Sequence, residues 1–354
     1  MILIFAFIVS FLSTTILTFL SIIIIKKVGL LDDPKRHKHP GIIHKRPIPR
    51  GGGIPLFMGI LITSINFLPM TKIIIALFFA AFIALVVGVL DDKYDISPYI
   101  RFLINIACAA FVVLMGANIP FITNPLGGIL YFNNFQIPFF QGITITFLPH
   151  LIAVLWIVWV MNMLNWSKGV DGQMPGIVAI SGVVIGILSL RFSPPDETST
   201  ITAILSFVIA GASLGFLIFN FYPAKIFPGY GATAIYLLLA VASILSSAKL
   251  ATAILVMGVP MADGIFTILR RILTGKSPFW HDKKHLHHLL LGLGVSQRSI
   301  ALFYWIISAI LGGLALVLSS KAKLFAIIML SIVVGGTLLF LHRTLKNTYD
   351  KDSI

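Results

Sequence analysis

Lys72-Ile-Ile-Ile-Ala-Leu-Phe-Phe-Ala-Ala-Phe-Ile-Ala-Leu-Val-Val-Gly-Val-Leu90 runs without a charge after its first residue and ends on Asp91-Asp92. An uncharged apolar run of this length reads as a helix able to cross the hydrocarbon core of a bilayer. The carboxylates at its end belong at a water boundary. Working outward, similar runs recur along the whole chain. Hydrophobic residues make up 58% of the 354 and charged residues 11%, a balance that a water-soluble core could not hide.

The runs predict an all-α polytopic membrane protein forming one transmembrane domain over 1–354. Eleven helical spans are expected at about 2–25, 51–70, 73–90, 100–118, 147–165, 174–191, 199–219, 231–247, 250–270, 299–319 and 324–342. The first run has no charged segment before it and is too long for a signal-peptide core, so it reads as a retained span. No internal repeat is visible. Cys108, the only cysteine, lies inside an apolar run, which removes disulfide frameworks and cysteine-based metal sites. The net charge of +14 does not point to nucleic acid, because the basic residues flank apolar runs and do not alternate with aromatic platforms. With the N-terminus outside, 21 of the 26 Lys and Arg fall on inside loops and 5 outside, which places the C-terminus in the cytoplasm. The longest outside segment, about 119–146, alternates apolar and polar residues between turn formers and predicts a small β-hairpin on the outer face.

The expected cytoplasmic loops are about 26–50, 91–99, 166–173, 220–230 and 271–298. Asp91-Asp92 fits a shared divalent cation, a split into base and ligand, or simply a solvated helix end. The first loop ends Pro47-Ile-Pro-Arg50-Gly-Gly-Gly53 and fits a phosphate cradle built from Lys, Arg and backbone N–H groups. It also fits a topogenic basic loop drawn to anionic lipid, although anchoring needs no glycines. Asn162-Met-Leu-Asn165-Trp-Ser-Lys168-Gly-Val-Asp171-Gly172 packs amides, a cation, a carboxylate and glycines into one segment, as a site with close backbone approach requires. Two asparagines one helical turn apart in an apolar stretch exceed the needs of a turn. Asn220-Phe-Tyr-Pro223 through Tyr230 is a compact loop. His281-Asp-Lys-Lys-His285-Leu-His287-His288, preceded by Asp263 and Arg271, lacks the cysteine or HExxH pattern of a zinc site. It suits pyrophosphate contact better than metal, with a solvated basic loop as the alternative.

In this order the segments resemble the polyprenyl-phosphate N-acetylhexosamine-1-phosphate transferase family, which includes the phospho-N-acetylmuramoyl-pentapeptide transferases. The motifs are Asp33-Pro34 with His44 and Pro47-Ile-Pro-Arg-Gly-Gly, then Asp91-Asp92 with Asp95 and Ser97. Asn162, Asn165 and Gly169-Val-Asp171-Gly172 follow, then Asn220, Pro223-Ala and Phe227, and finally Asp263, Arg271 and His285-Leu-His-His. The likeness implies transfer of a sugar 1-phosphate from a UDP-sugar to a polyprenyl phosphate at the cytoplasmic face of a prokaryotic plasma membrane, releasing UMP. The histidine segment looks like the amino-sugar branch, so UDP-N-acetylglucosamine or a related UDP-amino sugar is the expected donor. The likeness also makes a homodimer a fair expectation. Carried over, Asp91, Asp92, Lys168 and Asp171 are the catalytic positions. His44, Arg50, Arg101, Asn162, Asn165, Asn220, Tyr230, Asp263, Arg271, His285, His287 and His288 are the substrate-binding ones.

Several positions depart from the family pattern. Lys168 stands where the third loop usually has Asp, Tyr230 stands at a fourth-loop Asp that ligates Mg²⁺ in the family, Ala232-Thr233 stands at a usual Gly-Ser, and Arg101 replaces a usual Lys. Mg²⁺ on Asp91 and Asp92 is therefore expected from the resemblance but set against a second expectation, that Lys168 stands in for the cation and Tyr230 donates a hydrogen bond to pyrophosphate. A catalytically inactive paralogue that binds lipid phosphate or nucleotide sugar is the competing reading. A transporter is disfavoured, since no ionisable residue falls at mid-membrane.

Overall fold

The apolar runs form helices wherever their ends carry a stop. A computed structural model describes residues 1–33, 46–124, 127–134, 137–138, 144–191, 196–245, 250–280 and 282–351. Helix α1 (Ile2–Val28) stops at Gly29, whose φ of 76° is the left-handed conformation that glycine adopts without penalty. After it come α2 (Gly53–Phe67), α3 (Lys72–Tyr94) and α4 (Pro98–Leu114), the last opening with proline in its first turn, where the missing N–H costs nothing. Next are α5 (Phe147–Trp166), α6 (Gln173–Ser189) and α7 (Glu197–Asn220), the last begun by a reciprocal Asp196–Ser199 capping box. The chain closes with α8 (Thr233–Leu245), α9 (Leu250–Val256), α10 (Gly258–Leu273), α11 (Leu286–Gly292), α12 (Gln297–Val317) and α13 (Ser320–Lys351).

Three two-stranded antiparallel pairs complete the described residues: β1 (Leu31–Asp32) with β2 (Ile48–Pro49), β3 (Phe121–Thr123) with β4 (Ile129–Tyr131), and β5 (Ile137–Pro138) with β6 (Thr144–Ile145). The protein is thus an all-α multi-pass membrane protein with minimal β structure. Among the described residues α1, α3, α5, α7, α12 and α13 are each long and apolar enough to cross a membrane, while α2, α4, α6 and Tyr230–Leu245 are shorter apolar helices.

The expected ninth span, 250–270, is corrected. It breaks at Met257 into α9 and α10, which meet at 86°. Pro260, in the first turn of α10, offers no N–H and would clash with a carbonyl four residues back, so a straight helix cannot pass through it. Asp263 and Arg271 ride on the turned half.

Close helix contacts rest on small residues. A Cβ at Gly211 would lie 2.3 Å from Phe7 O, and one at Gly215 would lie 2.4 Å from Phe11 O, so α7 touches the α1 backbone. Ser10 Oγ, buried in the same seam, donates to Val208 O at 2.7 Å. Packing and interhelical hydrogen bonds drive such association where lipid is as apolar as the helices. Helix α7 lies in the middle, with 78% of its most apolar window buried against 17% for α13, whose Phe325, Ile332 and Phe340 face outward.

Gly215→Val is expected to force α7 off α1 and cost about 1–3 kcal/mol, the range for overpacking. Gly313→Ala, which meets open space, is the control. Thermal unfolding in detergent measures the difference; equal midpoints for the two variants refute the backbone contact.

Candidate functional site

Arg50, Asp91, Asp92, Arg101, Lys168 and Tyr230 come from five segments and meet at one end of the helices. Two backbone contacts assemble the frame. Gly52 N donates to Phe227 O and Gly53 N to Pro228 O, each at 2.8 Å, while Phe227 N donates to Pro49 O. A Cβ on Gly53 would sit 2.2 Å from Gly231 C, and one on Gly88 would sit 2.4 Å from Gly231 Cα. Gly53 therefore serves close approach of α2 to the 3₁₀ turn Tyr230–Ala232, and Gly52 close approach to Phe227 O. Of the expected phosphate cradle, the N–H groups of Gly52 and Gly53 are spent on carbonyls, while Arg50 remains at the site.

On this frame the two carboxylates at the end of α3 take different partners. Asp91 accepts from Ile96 N at Oδ1 (3.0 Å) and from Arg101 Nη1 at Oδ2 (2.8 Å). Asp92, its side chain fully buried, accepts Arg50 Nε and Tyr230 N at Oδ1, both at 2.8 Å. Its Oδ2 is buried and has no hydrogen-bond partner among the described residues. Gly229, at φ 67°, lies directly against that oxygen, since a Cβ there would be 2.0 Å away.

Lys168 reaches the same point from the turn after α5, its Nζ donating to Gly229 O at 2.9 Å. Burial pulls the Lys168 amine down from the ordinary lysine value to about 7, against the attraction of Asp92 and with the repulsion of Arg50 and Arg101. The Tyr230 ring lies beneath two cations, 4.7 Å from Arg101 Cζ and 5.6 Å from Lys168 Nζ. Its hydroxyl accepts from Asn105 Nδ2 at 3.1 Å, so it faces into α4, and the face it turns to the cations is the ring.

Asp171 and Asn220 hold the loops around the site. Asp171 Oδ2 accepts Ala224 N (2.9 Å), and Asn220 bridges Gly172 N (3.1 Å) to Ile226 O (2.8 Å). Asn162 turns back onto its own helix, donating to Val158 O, and Asn165 Oδ1 is buried without a partner among the described residues. His44 lies outside the described residues.

The histidines form a second cluster against the third loop. His285 Nδ1 lies 2.9 Å from Asp263 Oδ2, and Leu286 N donates to the other oxygen of that carboxylate. The His285 and His287 rings stack at 5.7 Å, His288 follows at 4.3 Å, and a Cβ on Gly169 would be 2.0 Å from His287 Nε2. Burial, reinforced by the neighbouring histidines, drives His287 well below the usual imidazole range and takes His288 to about 4. Both are neutral at physiological pH. Arg271 is not free to reach them. It donates to Pro278 O and pairs with Asp282, which burial alone would raise but which Arg270 and Arg271 hold near 2.

A divalent cation bound in common by Asp91 and Asp92 does not fit this donor set. Of their four oxygens only Asp92 Oδ2 is unengaged, a dication there would adjoin Arg50 and Lys168, and no group of three His, Cys, Asp or Glu converges among the described residues. Sequence reasoning did not reach Gly229, Asn105, Asp282 or Gln297, whose Oε1 accepts Asp171 N. Asn105 had a signal, an amide inside an apolar run. Gly229 had none beyond being glycine.

Residues 74–247 match the model of glycosyl transferase family 4. A probable undecaprenyl-phosphate N-acetylglucosaminyl 1-phosphate transferase of Bacillus subtilis is 31% identical over 93% of this chain and 88% of its own. A decaprenyl-phosphate N-acetylglucosaminephosphotransferase of Mycobacterium tuberculosis is 30% identical over 88% and 83%. The undecaprenyl-phosphate alpha-N-acetylglucosaminyl 1-phosphate transferase of Escherichia coli K12 is 29% identical over 86% and 80%. On these likenesses the chain belongs to glycosyl transferase family 4, the membrane-bound polyprenyl-phosphate N-acetylhexosamine-1-phosphate transferases.

Proposed function

We propose that this enzyme transfers N-acetylhexosamine 1-phosphate from a UDP-amino sugar, UDP-N-acetylglucosamine in the first instance, to polyprenyl phosphate at the cytoplasmic face of a prokaryotic plasma membrane. The observation that carries the reading is the convergence of Arg50, Arg101 and Lys168 around Asp91 and Asp92 at the ends of apolar helices. A lipid phosphate and a nucleoside diphosphate repel each other, and fixed cations at the membrane boundary offset that repulsion. Relatives named for undecaprenyl- and decaprenyl-phosphate acceptors and for N-acetylglucosamine support both substrate classes.

In the step, an oxygen of the acceptor phosphate attacks the donor phosphorus that bears the sugar. The bond to the bridging pyrophosphate oxygen breaks, UMP leaves with that oxygen, and a polyprenyl diphosphate sugar remains. Arg50, Arg101 and Lys168 hold the equatorial oxygens as charge redistributes. If the acceptor arrives as a monoanion, Asp92 Oδ2 takes its proton; Asp91, with both oxygens engaged, orients Arg101. Asp171 and Asn220 fix the loop that carries Lys168.

Purified protein given polyprenyl phosphate and UDP-N-acetylglucosamine is expected to release UMP and form the lipid-linked sugar diphosphate. Measurable donor binding with no product from any UDP-amino sugar would instead establish an inactive binding paralogue. Asp92→Asn is expected to lower kcat about 10²-fold or more, as loss of a proton acceptor does, and a variant with wild-type kcat removes Asp92 from the chemistry. The rate should also fall as pH rises through about 7, because Lys168 is charged below that value and neutral above it. Lys168→Arg keeps the charge and should abolish that limb of the pH profile; an unchanged limb in this variant means that another group titrates.

A further inference from the structure

Asp91 and Asp92 are usually read as a place for a metal, yet here each is neutralised from inside the chain. Asp91 spends both oxygens, on Ile96 N and on Arg101. Asp92 spends one on Arg50 and Tyr230 N, and its remaining buried oxygen faces Gly229, whose carbonyl is held by Lys168. Arg50, Arg101 and Lys168 lie against these two carboxylates, with Asp32 acting on Arg50 from the first loop. Tyr230 supplies a π face to Arg101 and Lys168 without adding a negative charge. A dication at Asp92 Oδ2 would lie beside Arg50 and Lys168 with that single oxygen to bind it, whereas a phosphate is attracted to those same cations.

We infer that this site binds its phosphate ligand without a divalent cation, with Lys168, Arg50 and Arg101 as the charges that hold the pyrophosphate. The inference rests on the phosphate-transfer reading of the same site and is tested on binding, so that the two can fail separately. Lys168 is the point charge nearest the Gly229 turn, and the two arginines provide planar donors that match phosphate oxygens.

The full chain in lipid nanodiscs is titrated calorimetrically with UDP, first with Mg²⁺ and then with excess EDTA. The expected affinities agree within about threefold. Lys168→Met is expected to weaken UDP binding about tenfold or more in both conditions, and Lys168→Arg to restore most of it, as loss and return of a charged contact predict. UDP binding that appears only with Mg²⁺ overturns the inference. So does a tightly held Mn²⁺ seen by electron paramagnetic resonance in nucleotide-free protein and lost in Asp92→Asn. Metal-independent UDP binding with no sugar-phosphate transfer leaves the inference standing and removes the reaction; transfer that requires Mg²⁺ does the reverse.

Discussion

Asp92 joins segments that lie far apart in the sequence. Its buried carboxylate ends α3, accepts Arg50 from the first loop, accepts the backbone of Tyr230 from the fourth, and lies against Gly229, which Lys168 grips from the third. Breaking a buried pair by removing one partner costs about 3–5 kcal/mol, because the charge left behind stays desolvated. The pair is therefore a constraint on the whole end of the bundle. The backbone must come close enough to present Tyr230 N to Asp92, and glycines at 53 and 88 allow α2 and α3 to approach the 3₁₀ turn that closely.

Much of this architecture is legible in the apolar runs, because each hydrophobic segment between charged loops has few alternatives to a helix. What the runs do not reveal is direction. The segment 250–270 has the composition of a span, yet Pro260 near the start of its second half turns the chain by 86° and carries Asp263 toward the histidines. Composition averages over such a break, and one proline does not state whether a helix kinks or ends.

The site was legible in membership more than in role. Asp91, Asp92, Arg50, Arg101, Lys168 and Tyr230 do meet. The glycines at 51–53, however, suggest a nest for anions when read alone, and only the facing carbonyls of Phe227 and Pro228 show that two of their N–H groups are committed. Asn220 and Asp171 are likewise polar residues in the right loops whose atoms go to backbone. A residue type fixes what a side chain is able to bond; the competing donors and acceptors that claim it first are a property of the fold.

Charge separates the two clusters at this end of the molecule. The histidines are packed so tightly, ring on ring and against Gly169, that burial keeps His287 and His288 neutral. They are left with shape and hydrogen bonding to offer. The cations are held differently, by carboxylates on one side and the Tyr230 ring on the other. An aromatic face attracts a guanidinium through its quadrupole without cancelling its charge, whereas an aspartate at 230 would neutralise Arg101 or Lys168 outright. Tyrosine at that position thus steadies two cations without cancelling their charge.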